Sequence, residues 1–246
     1  MVIFCIVLLV IWLVFKAKDR ARIRTVTELY RGTQSERQLV LKLLKYGISS
    51  KAIFHDLYFY KGNGEYSQVD LVVAAKVGII VFEVKDYSGW IFGNGLQDQW
   101  TKVLAYGSEK YRFYNPVKQN AGHISCIKKQ LSQFCNIPFY SVVVFYGDCR
   151  LKRVNDIPDN VYLVYPSQIS NVLNHILSHN PPAPYTDKWE IVRLFENAAN
   201  NGADDMLVRK HADTVRQRYA YRNERTNVYM NNVFRRLGRR CFKIKW

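Results

Sequence analysis

Three ionisable residues stand inside two short apolar runs: Asp70 in Val69-Asp70-Leu71-Val72-Val73, and Glu83 and Lys85 in Ile79-Ile80-Val81-Phe82-Glu83-Val84-Lys85. Charges within an apolar strand are costly unless they are paired or bind a cation. The runs flank a turn candidate, Lys76-Val77-Gly78, and the pattern predicts a β-hairpin. Strand side chains alternate between faces, so Glu83 and Lys85 share one. A loop at Lys76-Val77 sets Asp70 opposite Glu83, and a loop at Val77-Gly78 sets it opposite Lys85. In both registers the three converge. Two carboxylates with one lysine suit a metal-assisted hydrolase, Asp70 and Glu83 offering oxygen ligands to Mg2+. Lys85 would then position or deprotonate a water, or neutralise charge developing at phosphorus. The competing reading is a buried salt bridge, which leaves one carboxylate uncompensated.

The elements that must position this trio can be read outward from it. Thr33-x-x-Glu36 opens an amphipathic helix carrying Leu39, Val40, Leu43 and Leu44, with Gly47 near its end. Glu36 matches a capping box there. Residues 52–60 form a strand that turns through Lys61-Gly62-Asn63-Gly64 into the hairpin, and Asp86 to Gly93 form a turn and a further short strand. A helix starts at Asn115-Pro116 and runs through His123, Ile124, Ile127 and Leu131, with Gln119 and His123 on one face. Residues 139–146 and 161–165 read as strands, and a helix follows from about Ser167. His175 and His179 have metal-ligand spacing on that helix but no acidic partner or cysteine nearby, so an ordinary amphipathic helix is the reading.

The ends of the chain differ from its middle. Residues 1–15 are apolar without interruption, followed by Lys16, Lys18, Arg20, Arg22 and Arg24. The expectation is a transmembrane anchor over residues 1–17, with its N-terminus outside, a basic juxtamembrane segment over 18–31, and the bulk of the chain at the cytoplasmic face of the cell (inner) membrane. Residues 181–185 form a Pro-rich linker, and residues 186–246 a basic, mainly helical segment. From Asp204 onward 12 Lys+Arg oppose 4 Asp+Glu, and aromatics are interleaved among the arginines. Arg235, Arg236, Arg239 and Arg240 are the expected phosphate contacts; a solvated helix face or a surface lying on anionic lipid would use the same residues. The whole chain carries +16, which favours polyanionic partners, and 48% hydrophobic content excludes disorder. Five scattered cysteines without a Cys-x-x-Cys pair exclude a disulfide framework and a zinc ribbon.

The motif Asp70…Glu83-Val84-Lys85 resembles the PD-(D/E)xK nuclease signature. Together with Gly32…Glu36, Gly78-Ile79-Ile80-Val81-Phe82, Asp86-Tyr87-Ser88-Gly89-Trp90-Ile91 and Asn115-Pro116-x-x-Gln119-x-x-x-His123, it resembles the nuclease-related domain (NERD) branch, over roughly residues 32–147. The resemblance implies an α/β fold with a restriction-endonuclease-like α-β-β-β-α-β core inside a domain spanning 32–180. It implies Glu36, Asp70, Glu83 and Lys85 as the catalytic set, with Gln119 accessory. It further implies Mg2+, with Mn2+ able to substitute, and cleavage of nucleic-acid phosphodiesters, DNA ahead of RNA. The family commonly places an acid two residues before the aspartate, where this chain has Gln68. The alternative is a catalytically weak module that tethers nucleic acid or a membrane surface.

Overall fold

The computed structural model describes residues 1–104, 107–133 and 136–217. Five strands form one mixed sheet in the order β1-β2-β3-β7-β9: β1 (Ile53–Gly62), β2 (Glu65–Ala75), β3 (Gly78–Asp86), β7 (Phe139–Tyr146) and β9 (Val161–Val164). The first three are antiparallel, and β3, β7 and β9 run parallel. Alternation along β3 sends Ile80 and Phe82 to one face and Ile79 and Val81 to the other. On the first face they meet α2 (Gln34–Tyr46) and α4 (Ile169–His179) through Leu39, Leu43, Leu173 and Ile176. On the second they meet α3 (Pro116–Gln130) and α5 (Lys188–Asn201) through Ile127, Ile191 and Phe195. The central order α2-β1-β2-β3-α3-β7 matches the α-β-β-β-α-β sequence of elements expected.

The hairpin turns at Lys76-Val77, with Ala75 paired to Gly78 and Leu71 to Phe82. Gly78 has φ +142°, and a Cβ there would stand 2.4 Å from the Pro138 carbonyl oxygen, so glycine is required at this turn.

Between β3 and α3 the chain inserts β4 (Gly89–Asn94), β5 (Gln99–Leu104) and β6 (Glu109–Tyr114). With β8 (Cys149–Asn155) these make a second sheet ordered β6-β5-β4-β8, of which the sequence reading anticipated only the first strand. Buried Ile91 and Trp100 pack its inner face against Val143 and Phe145 of β7.

At the N-terminus α1 (Val2–Arg24) is helical as expected, but among the described residues no helix is long and apolar enough to cross a membrane. The spanning anchor is therefore corrected: Lys16, Lys18 and Asp19 end an apolar run of ~21 Å, short of the ~30 Å hydrocarbon core. Thr27 and Arg31 fold inward to bond His55 and Asp56. The Pro-rich stretch lies against the hairpin turn, Ala183 N–H donating to the Lys76 carbonyl (2.9 Å) and the Tyr185 hydroxyl to that of Ala75 (2.7 Å). The first compact unit extends to Ala203 and so includes α5. In the second, 204–246, residues 205–217 are helical, and Asp204 Oδ1 accepts from the Met206 N–H (2.9 Å). Arg235, Arg236, Arg239 and Arg240 lie outside the described residues.

Candidate active site

Glu83 projects from β3 toward α3 and is 1% exposed. Its Oε1 lies 2.5 Å from Lys85 Nζ, and its Oε2 lies 3.2 Å from His123 Nε2. The imidazole is close enough for attraction but not angled for a hydrogen bond, so Oε2 is buried without a hydrogen-bond donor. Burial pushes the Glu83 carboxyl up, but the Lys85 ammonium and His123 outweigh it and hold the carboxyl below its usual value. Lys85 Nζ also donates to Gln119 Oε1 (3.0 Å). Burial alone would depress the lysine, yet Glu83 and Asp70 raise it above its ordinary value, and it remains an ammonium.

Asp70 follows the Leu71–Phe82 pair by one step, which sets it across from Glu83 on the adjoining strand. Its Oδ2 accepts from the Val84 N–H at 2.7 Å. Burial and the neighbouring Glu83 and Glu36 charges push its carboxyl well above the usual range, with Lys85 and the Val84 N–H countering in part. Two acids facing one another cannot both ionise freely in a half-buried site, and this one holds its proton more tightly.

Glu36 combines both sequence readings. Its backbone N–H donates to Thr33 Oγ1 (3.3 Å), and the Thr33 hydroxyl donates to Glu36 Oε1 (2.7 Å), which caps α2. Its Oε2 points inward, 3.2 Å from His55 Nε2, and its charge is felt at Asp70. Burial raises this carboxyl as well, but the bonds to His55 and Thr33 leave it below its normal value. Gly32 makes the pair possible. At φ +61° it lets the chain pass where a Cβ would sit 2.4 Å from Glu36 Oε2 and 2.6 Å from the His55 ring.

Residues outside the predicted set complete the pocket. His123 Nδ1 lies 3.0 Å from Ser67 Oγ, and His55 Nδ1 lies 2.9 Å from Thr27 Oγ1. Asn120 Nδ2 donates to the Val81 carbonyl (2.9 Å) and Ser141 Oγ (2.8 Å), bolting α3 to β3 and β7 so that Gln119 and His123 reach the β3 charges. Asn115 caps α3 through the Val117 N–H (2.9 Å) and donates to the Gln97 carbonyl (2.7 Å). Gln68 has a local rationale too. Its Nε2 donates to Oδ1 of buried Asp56 (2.9 Å), which also meets Arg31 Nε at 3.4 Å. An acid at 68 would face the Asp56 carboxylate. His55 and Asp56 left a trace in sequence, as a polar pair within an apolar strand; His123 left one in the Asn115-Pro116-x-x-Gln119-x-x-x-His123 motif, and Ser67 left none that separates it from surface polar residues.

Among the described residues no three His, Cys, Asp or Glu side chains form a ready cluster for a metal ion. The carboxylates of Asp70 and Glu83, one with an unpartnered buried oxygen, nonetheless fit Mg2+, which takes one or two protein carboxylates and completes its shell with waters and phosphate oxygens.

An α/β core of this order bearing an Asp, a Glu and a Lys on adjoining strands is the arrangement of a nuclease-like domain. Residues 31–146 match the nuclease-related domain family. The chain is also similar, at 27% identity over 196 residues covering 78% of it and 86% of the relative, to an uncharacterised protein of Bacillus anthracis. No solved structure matches it.

Proposed function

We propose that the chain is a metal-dependent nuclease with a restriction-endonuclease-like core, hydrolysing phosphodiester bonds of nucleic acid, DNA ahead of RNA. The observation that carries this reading is half-buried Asp70 across from buried Glu83, with a single ammonium, Lys85, beside them. A pure binder of polyanions gains nothing from a pocket of acids, whereas a divalent cation relieves their repulsion. Asp70 and Glu83 would hold Mg2+ or Mn2+, which when bound would supply Lewis-acid polarisation of the phosphoryl group and acidify a water. Lys85, fixed between Glu83 and Gln119, stays charged and so neutralises developing negative charge; it does not serve as a base. His123 and Ser67 hold Glu83 from the α3 side, and Glu36 with His55 closes the α2 side. Arg235, Arg236, Arg239 and Arg240 are proposed phosphate contacts of the basic C-terminal segment.

The test is cleavage of labelled single-stranded and duplex oligonucleotides with Mg2+, Mn2+ or EDTA. Metal-dependent products from wild type, absent with Asp70→Asn, support the reading. If wild type binds nucleic acid but neither metal yields products, the chain is a tether.

Val2–Phe15 is exposed, and Lys16, Lys18 and Arg20 follow it. We propose that this helix associates with the cytoplasmic leaflet of the cell membrane, its basic end on anionic headgroups. Co-sedimentation with anionic vesicles, lost on removing residues 1–15, checks this; binding that survives the removal refutes it.

A further inference from the structure

The outer face of the second sheet carries a pattern the catalytic pocket does not use. Strand register lays its residues in two rows across all four strands. Arg150, Trp90, Val103 and Lys110 form one; Arg153, Phe92, Thr101 and Arg112 form the next. Each row has a cation at both ends and an aromatic ring between them. Lys152, at the bulge between the rows, puts its ammonium 5.1 Å from the Trp90 ring centroid. Lys110, Arg112, Arg150, Lys152 and Arg153 are all exposed, and Trp90 is 38% exposed. The one acid in the four strands, Glu109, pairs across from Leu104, on the opposite side from Lys110 and Arg112. No salt bridge joins any of these five cations to an acid among the described residues. Strand positions two apart are separated by ~6.8 Å, close to the separation of successive phosphates in an extended strand.

We propose that this face binds single-stranded nucleic acid, the cations holding the phosphates and a base stacking on Trp90. The proposal deepens the nuclease reading and rests on it for the class of substrate. Five unpaired cations without an acid match a polyanion, and an exposed tryptophan among them matches a base plane, which a duplex hides in its stack. A base on Trp90 takes the ring face that Lys152 covers and frees that ammonium for a phosphate. The face starts close to the candidate chemistry in the chain: Trp90 follows Lys85 by five residues, at most ~17 Å of extended backbone.

Fluorescence anisotropy of the full 246-residue chain in mild detergent, with EDTA present, measures this binding with no cleavage. Trp90→Ala should weaken a labelled single-stranded oligonucleotide by roughly 5- to 100-fold, by the same factor at low and high salt because stacking is not screened. Trp90→Phe should restore most of it. Arg150→Gln with Lys110→Gln should flatten the salt dependence by about 0.7 per lost contact. Wild-type affinity in Trp90→Ala overturns the proposal, as does an equal loss for the blunt duplex. Loss of binding to anionic vesicles with oligonucleotide affinity intact assigns the face to lipid and overturns it too. Cleavage is scored separately in Mg2+. If wild type cleaves nothing, the nuclease reading falls while the EDTA measurement still decides what this face binds.

Discussion

Asp70 shows most sharply how the site works against the fold. Its carboxyl is held well above the ordinary range by burial and by the Glu83 and Glu36 charges. For an acid raised in the folded state, the penalty is absent below its unfolded value and grows as pH climbs from there toward the raised one. Without divalent metal, stability should fall across that window. Asp70→Asn should raise the unfolding temperature in EDTA at neutral pH by on the order of a few °C and remove that pH dependence. It should also abolish any rise produced by Mg2+. A drop in unfolding temperature would mean that the Asp70–Val84 bond outweighs the repulsion. In the proposed nuclease Lys85 acts in the other direction: its charge would meet the transition state more than the ground state. Lys85→Ala should therefore lower cleavage by about 10²–10³-fold and leave oligonucleotide affinity in EDTA nearly unchanged, as read by single-turnover rates beside anisotropy. A matching loss of affinity would make Lys85 a binding residue.

At the scale of elements, what the sequence disclosed and what it hid have the same cause. The hairpin was legible because a two-residue turn and period-2 alternation fix register locally, and Asp70 falls opposite Glu83 as one of the two registers required. The starts of α2 and α3 were legible from Thr33 and from Asn115-Pro116, whose side chains cap them. The second sheet was largely hidden. β5, β6 and β8 are short and rich in polar residues, and β8 pairs with β4, a strand far away in sequence that single-strand alternation does not reveal. His123 was read from sequence on the Gln119 face of its helix, but its meeting with Glu83 and Ser67 exists only once α3 is docked. The docking of α2 has its own requirement at Gly32. A Cβ at φ +61° would collide with Glu36 Oε2 and the His55 ring. Gly32→Ala should cost on the order of 1–3 kcal/mol, measured by urea denaturation, through strain and a displaced Glu36. An unchanged midpoint would show that α2 shifts freely.

For the molecule as a whole, the question is where the N-terminal helix stops being an appendage and becomes part of the fold. Val2–Phe15 is exposed, and Lys45–Asp19, at 2.8 Å, is a solvent-exposed pair of the kind worth about 0–1 kcal/mol. Farther along, Ile23 is buried and Val26 packs on the α2 side of the sheet. Thr27 Oγ1 then meets His55 Nδ1, whose other nitrogen meets Glu36. Removal of residues 1–15 should leave the unfolding midpoint nearly unchanged, because it takes away no buried contact. Extending the deletion through Thr27 should lower stability by roughly 1–3 kcal/mol, since it strands a buried imidazole nitrogen and uncovers apolar surface. The same cut should loosen Glu36 and lower metal-dependent cleavage, whereas the shorter one should leave cleavage in solution intact. Equal midpoints for the two truncations, measured side by side in urea, would place residues 16–27 outside the folded unit and detach the Thr27–His55–Glu36 chain from the candidate active site.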